Sequence, residues 1–159
     1  MAPINLQNSQ LIFIAVTIFS LLTSSISSVD KIDAGNYVLT LDHTNFSQAA
    51  SDHTFLVVQF YAPCLSSSEK MHKLLCKYVE ELAPEYEKAA SLLSTHEPPI
   101  VLAKMDGSAE ENKEVADRFH ITGYPTIVAL QNEGRHFHYY TGPREADDIV
   151  RTLKRLVCP

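Results

Sequence analysis

The chain has 159 residues, 45% apolar, 20% charged and 9% aromatic with no Trp, which fits one ordinary globular domain and excludes a disordered or collagen-like chain. Thirteen Lys and Arg against 19 Asp and Glu leave a net charge of −6, which argues against nucleic acid or any other polyanion as a partner, because counterion release needs a basic surface. Three cysteines are too few for a disulfide scaffold and, being odd in number, leave at least one thiol without a partner inside the chain.

Residues 1–28 carry no charged side chain, and Leu11 to Leu22 is apolar except for Thr17 and Ser20. Twelve residues are too few to span a bilayer, which takes about 20, but they suit the apolar region of a secretory signal peptide. Ser25-Ile26-Ser27 supplies the small residues of a cleavage site, so residues 1–28 are expected to be a signal peptide and 29–159 a single mature domain. No membrane association is expected after cleavage. The mature part would then meet the oxidising compartments of the secretory pathway.

Tyr37 to Leu41 is a short β-like run, and the polar cluster Asp42 to Asn45 starts a helix over Phe46 to Ser51. Thr54 to Tyr61 is β-branched, aromatic and nearly continuous, the pattern of a buried central strand. From Met71 the apolar side chains recur at Leu74, Leu75, Tyr78, Val79, Leu82, Tyr86, Ala89, Ala90 and Leu93, one face of a long helix that Pro84 should kink. Ile100 to Met105 is a second buried strand, Glu110 to Phe119 a helix and Thr126 to Leu130 a strand. Asn132-Glu133-Gly134 turns the chain into Arg135 to Tyr140 as a hairpin. After Gly142-Pro143 a last amphipathic helix places Ala146, Ile149, Val150, Leu153 and Leu156 inward. This order predicts an α/β fold: a central mixed sheet, parallel strands joined by a crossover helix plus an antiparallel hairpin, with helices on both faces.

Four strings add a resemblance. Phe60-Tyr61-Ala62-Pro63 ends the central strand, Leu82-Ala83-Pro84-Glu85-Tyr86-Glu87-Lys88-Ala89-Ala90 lies on the long helix, Gly123-Tyr124-Pro125-Thr126 enters the next strand, and Gly142-Pro143-Arg144-Glu145-Ala146 opens the last helix. In this order they resemble the first thioredoxin-like domain of a plant-type protein disulfide isomerase, over about residues 36–156. The resemblance implies a thioredoxin-like fold, oxidative protein folding in the endoplasmic reticulum lumen, and unfolded or disulfide-containing polypeptides as clients. It implies no cofactor. The chain ends at Val157-Cys158-Pro159 without a retention tetrapeptide, which leaves secretion open.

The family's chemistry rests on a C-x-x-C motif after Ala-Pro, with its first thiol at a helix N-terminus where the dipole favours the thiolate and the second close enough to resolve a mixed disulfide. No C-x-x-C occurs in this chain. After Pro63 comes Cys64-Leu65-Ser66-Ser67-Ser68-Glu69-Lys70, in which Cys64 takes the place of the family's tryptophan, and the segment to Glu81 is longer than the family's. About eleven added residues make about three helical turns and change the helix phase by only ~20°, so the Leu82 to Leu93 face keeps its place while the helix extends outward.

Ser66-x-x-Glu69 reads as a capping box. A helix from Ser66 through Cys76 would hold Cys64 and Cys76 roughly 15–18 Å apart at ~1.5 Å per residue, whereas a disulfide needs Cα atoms within about 7 Å. The two are therefore not expected to pair unless the inserted turns unwind. Exchange is expected to be weak or lost, with client binding kept. The alternative is an active oxidoreductase using Cys64 alone or with Cys76.

Gln59 stands where the resemblance implies a buried acidic proton acceptor, and it cannot accept a proton at neutral pH. Lys104 matches that acid's partner, and Arg144 the arginine that approaches the family's active site. Pro125 matches a cis-proline whose loop, Tyr124 to Thr126, meets the client backbone. Asn45-Phe46-Ser47 is a glycosylation sequon. His72 and Cys76 share a helix face, but no further ligand pair has zinc spacing, so no metal is expected. His136 and His138 share one side of a strand as solvated surface. Cys158 is a candidate for a disulfide linking two copies.

Overall fold

The computed structural model describes residues 36–64 and 70–157, and the side chains of these except in 70–75. The expected signal peptide, the expected Ser66 to Glu69 capping box and Cys158 lie outside the described residues, as does the His72 side chain.

Among the described residues, five strands and four α-helices follow in order: β1 Val38–Leu41, α1 Phe46–Asp52, β2 Phe55–Tyr61, α2 Lys70–Leu93, β3 Val101–Asp106, α3 Lys113–Arg118, β4 Thr126–Gln131, β5 His136–Tyr139 and α4 Ala146–Val157. The sheet order is β1-β3-β2-β4-β5. β3 is parallel to both β1 and β2, while β4 is antiparallel to β2 and β5. The mixed sheet with a crossover helix and a terminal hairpin is as the element order predicts.

β2 is apolar almost throughout because it is covered twice, with successive side chains pointing to opposite faces. Phe55 and Val57 join Leu82, Tyr86, Ala89 and Leu93 of α2 and Ile149 and Leu153 of α4 in one core. Leu56, Val58 and Phe60 join Phe46 and Ala50 of α1, Met105 and Phe119 in the other. The helices thus lie on both faces.

Two elements differ from expectation. The helix expected over Glu110 to Phe119 is split into a 3-10 turn, Glu110–Asn112, and α3. Asn112 is buried there with its side chain engaged: Oδ1 accepts from the His43 N–H at 2.8 Å and Nδ2 donates to the Asp106 carbonyl at 2.9 Å. This ties the β1–α1 loop to the end of β3 in place of a regular first helical turn. Among the described side chains of the α2 apolar stripe, Leu82, Tyr86, Ala89, Ala90 and Leu93 are buried, whereas Tyr78 is 45% exposed. The helix runs through Pro84 without interruption.

Tyr86 crosses from α2 to the sheet, where its hydroxyl donates to the carbonyls of Val57 at 3.0 Å and Ala103 at 3.2 Å. Burial pushes this phenol well above its ordinary value. An acid whose folded pKa is raised adds stability that is fully present below the unfolded pKa, about 10, and is lost as pH climbs toward the folded value. Urea unfolding at pH 9 and 11 should therefore show the wild type losing ~1.4 kcal/mol more than Tyr86→Phe. Equal losses in the two proteins would mean that the phenol ionises in the folded state.

Candidate functional site

The C-terminal ends of β2 and β3 and the N-terminal end of β4 share one edge of the sheet. Gln59 pairs in register with Lys104 on one side and Ile127 on the other, while Phe60 faces Thr126 and Tyr61 faces Asp106. Gln59 is 4% exposed, and its alternation with Phe55 and Val57 sets it on the face covered by α2 and α4. Past Tyr61, whose carbonyl accepts from the Gly107 N–H at 2.9 Å, the chain leaves the sheet and reaches Cys64.

The Tyr124–Pro125 peptide is cis, as the resemblance implies. Thr126 Oγ1 donates to the Gly123 carbonyl at 2.7 Å, which folds the loop onto the start of β4. The Tyr124 ring lies against the backbone of Gly107, where an added Cβ would come within 2.7 Å of the ring, so only glycine allows this approach. Burial raises the Tyr124 hydroxyl pKa, and the carboxylates of Asp106 and Asp117 add to the shift.

Arg144, in the turn before α4, bridges two elements. Its Nη2 donates to the Pro125 carbonyl at 3.4 Å, and its guanidinium lies over the Tyr78 ring at 5.8 Å from the centroid. Such an exposed cation–π contact contributes roughly 0.5–1 kcal/mol. A cavity of about 380 Å³ lies beside it, lined by Tyr78, Glu81, Leu82, Glu85, Arg144 and Glu145. Glu85 helps to form this corner, since its Oε2 accepts from the Ala146 N–H at 2.8 Å and satisfies an otherwise unpaired donor at the start of α4.

Cys64 and Cys76 form a disulfide, with their Cα atoms 5.3 Å apart. This overturns the expectation that they lie too far apart to pair. A helix continuous from Ser66 to Cys76 would separate those two Cα atoms by ~15 Å, and two residues of extended chain recover only ~7 Å. The described helix spans Lys70–Leu93, with Cys76 as its seventh residue. Cys64 is exposed and Cys76 half-buried.

The remaining candidates are scattered. Asn45 sits before α1, where its Oδ1 accepts from the Asp42 N–H at 2.8 Å and its Nδ2 donates to the Thr40 carbonyl at 3.2 Å. His136 and His138 are exposed on β5, the outermost strand, and the Asn132 amide lies 2.9 Å from His136 Nδ1. The sequence reading placed Tyr78 among core positions and missed its part in the Arg144 contact. Its helical phase was correct, but periodicity does not show how far the partner face extends.

The thioredoxin family model matches residues 37–155. A protein disulfide-isomerase of Medicago sativa is 46% identical over 148 residues, covering 88% of this chain and 27% of that protein. Protein disulfide isomerase-like 1-1 of Arabidopsis thaliana is 45% identical, covering 89% of this chain and 26% of that protein. This chain therefore spans about a quarter of the length of these relatives. Among solved structures, the first thioredoxin domain of mouse protein disulfide-isomerase A4 superposes with a TM-score of 0.63 at 32% identity, covering 86% of this chain and 89% of that one. The match over nearly the whole described fold, cis-Pro125 included, leads to one conclusion: the chain belongs to the thioredoxin family and is similar to the plant protein disulfide isomerases.

Proposed function

We propose that this domain acts in oxidative protein folding in the lumen of the endoplasmic reticulum, holding unfolded or disulfide-containing client polypeptides at the Tyr124 to Thr126 edge while its own thiol–disulfide exchange is weak. Residues 1–28 would serve as the signal peptide that delivers it, and Cys158 would be available to link two copies. Asn45 is a glycan acceptor in the same proposal.

The placement of the cysteines carries this reading. Cys76 is the seventh residue of α2, ~9 Å inside the helix, whereas the dipole's stabilisation of a thiolate falls off within the first turn. Cys64 precedes the helix altogether. Neither sulfur occupies the first helical turn, where an exchange thiol is favoured as a nucleophile and leaving group. Gln59 stands where the family resemblance implies a proton acceptor, and it faces Lys104 in register in place of that acid. Arg144 is engaged by Tyr78 and the Pro125 carbonyl. The edge formed by cis-Pro125 keeps the geometry for backbone contact.

One observation favours a second reading: the 5.3 Å Cα separation already holds the two sulfurs as a pair. Under that reading a small-molecule thiol first reduces the pair, the thiolate of Cys64 attacks a client disulfide and one client sulfur leaves as a thiolate, and Cys76 then attacks the mixed disulfide, releasing the second client thiolate and re-forming the Cys64–Cys76 bond.

Reduction of insulin by dithiothreitol separates the two. The chain and its Cys64→Ser variant are expected to give the same rate, at least about 100-fold below a family domain with an intact dithiol motif, given the 10²–10⁴-fold typical of a positioned acid–base group alone. A rate well above background that Cys64→Ser abolishes would establish the second reading.

A further inference from the structure

The Cys76 to Glu81 turns of α2 stand apart from the core. Among the described side chains of α2, the first in either core is Leu82, and none of the residues from Cys76 to Glu81 is buried. Lys77 pairs with Glu81 inside the helix itself, at 3.5 Å between two exposed side chains. Among the described residues, two contacts tie these turns to the rest of the domain. One is the Cys64–Cys76 disulfide to the end of β2, and the other is the Tyr78 ring beneath the Arg144 guanidinium. The second is weak and exposed, so the covalent bond is the main restraint.

The same turns form a wall. Tyr78 and Glu81 line the cavity of about 380 Å³ whose opposite side is Arg144 and Glu145, and Arg144 reaches the carbonyl of cis-Pro125. Moving Tyr78 away would open this cavity on one side and leave Arg144 with the Pro125 carbonyl alone.

We propose that the Cys64–Cys76 disulfide is a redox-controlled staple, which holds the Cys76 to Glu81 turns of α2 as one wall of the client groove beside cis-Pro125, so that reduction dismantles the groove. The client assignment rests on the function proposed above, whereas the staple does not. Reduction requires two electrons and two protons, supplied by a small-molecule thiol of the lumen, glutathione in class. The S–S bond breaks, two thiols form on the protein, and two reductant thiols leave as their own disulfide. No client cysteine takes part, which separates this role from thiol exchange. Helical segments held by few buried contacts open at low free-energy cost, and without the bond the Cys76 to Glu81 turns keep, among the described residues, their intrahelical contacts and the exposed Tyr78–Arg144 pair.

Two measurements on the full chain test this, in a Cys158→Ser background that prevents linked dimers. The first is amide hydrogen exchange of the oxidised and dithiothreitol-reduced forms. Lys70 to Glu81 are expected to exchange at least tenfold faster after reduction while Leu82 to Leu93 are unchanged. The second is fluorescence anisotropy with a labelled, carboxymethylated unfolded lysozyme, which cannot exchange disulfides. The oxidised form is expected to bind at least fivefold more tightly than the reduced form or Cys76→Ser, and Tyr78→Ala is expected to weaken the oxidised form about threefold.

Equal exchange in both redox states would overturn the staple. Faster exchange on reduction with unchanged affinity would overturn the groove wall. Faster exchange with no binding in either state would leave the staple standing and overturn the client reading instead.

Discussion

Phe119→Ala is expected to be the most destabilising single truncation of the domain, at about 3–5 kcal/mol, the usual cost of emptying a fully buried aromatic site. Phe119 is fully buried just beyond the end of α3. Its ring meets Phe46 of α1 at 5.6 Å between centroids, Phe60 of β2 at 6.1 Å and Phe137 of β5 at 5.3 Å, the last edge-on. Its backbone carbonyl accepts from the Tyr139 hydroxyl at 2.8 Å. One side chain therefore joins a helix, a central strand and the terminal strand. A cavity at this junction loses contacts to three elements at once, and backbone segments so differently anchored cannot all move to fill it. Stability of this size is a large share of what a small domain has. Urea unfolding should show a midpoint shift of that magnitude, with Phe119→Leu costing roughly a third as much because it keeps most of the volume. A loss under about 1 kcal/mol for the alanine variant would mean that the α1 side of the sheet is loosely packed.

What could be read from the amino acids, and what could not, follows from the range of each signal. β2, β3 and β4 were legible because burial on both faces leaves near-continuous apolar runs. The last helix was legible because Ala146, Ile149 and Leu153 repeat at helical spacing and all three are buried. Asn112 gave no signal, since its role depends on two loops meeting, with His43 69 residues away in sequence. The Cys64–Cys76 pairing was missed for a definite reason. A capping box is a local preference worth about 1 kcal/mol, and it was extended into a rigid distance that the 5.3 Å Cα separation contradicts. Tyr78 was misplaced for the complementary reason: phase was right and burial was not, since the ring is 45% exposed one turn before buried Leu82. The cis-Pro125 loop was legible only through the family resemblance, since nothing in a tyrosine–proline pair itself specifies the cis form.

The role of Gln59 is tested by returning an acid to its position. Gln59→Glu introduces a carboxyl at a site only 4% exposed, and desolvation there disfavours the ionised form and raises its pKa. The group that faces it in register is Lys104 on β3, with apolar Ile127 on the other side. Lys104 is half-buried and can offset part of the penalty. The sign follows from linkage: an acid with a raised folded pKa leaves stability intact below the unfolded value near 4.3, and removes it as pH rises toward the folded value. Gln59→Glu is therefore expected to match the wild type near pH 4 and to be about 2–4 kcal/mol less stable by pH 8, on the scale of shifts seen for buried carboxyls. A profile parallel to the wild type would mean that Lys104 neutralises the new charge fully. Insulin reduction should remain at background in either case. A proton acceptor accelerates exchange only when a thiol beside it must gain or lose a proton, and the disulfide of this chain begins outside the helix and ends in its second turn. If Gln59→Glu alone raised the rate tenfold, the limiting feature would be the missing acid and not the position of the sulfurs, and exchange through Cys64 and Cys76 would become the domain's main activity.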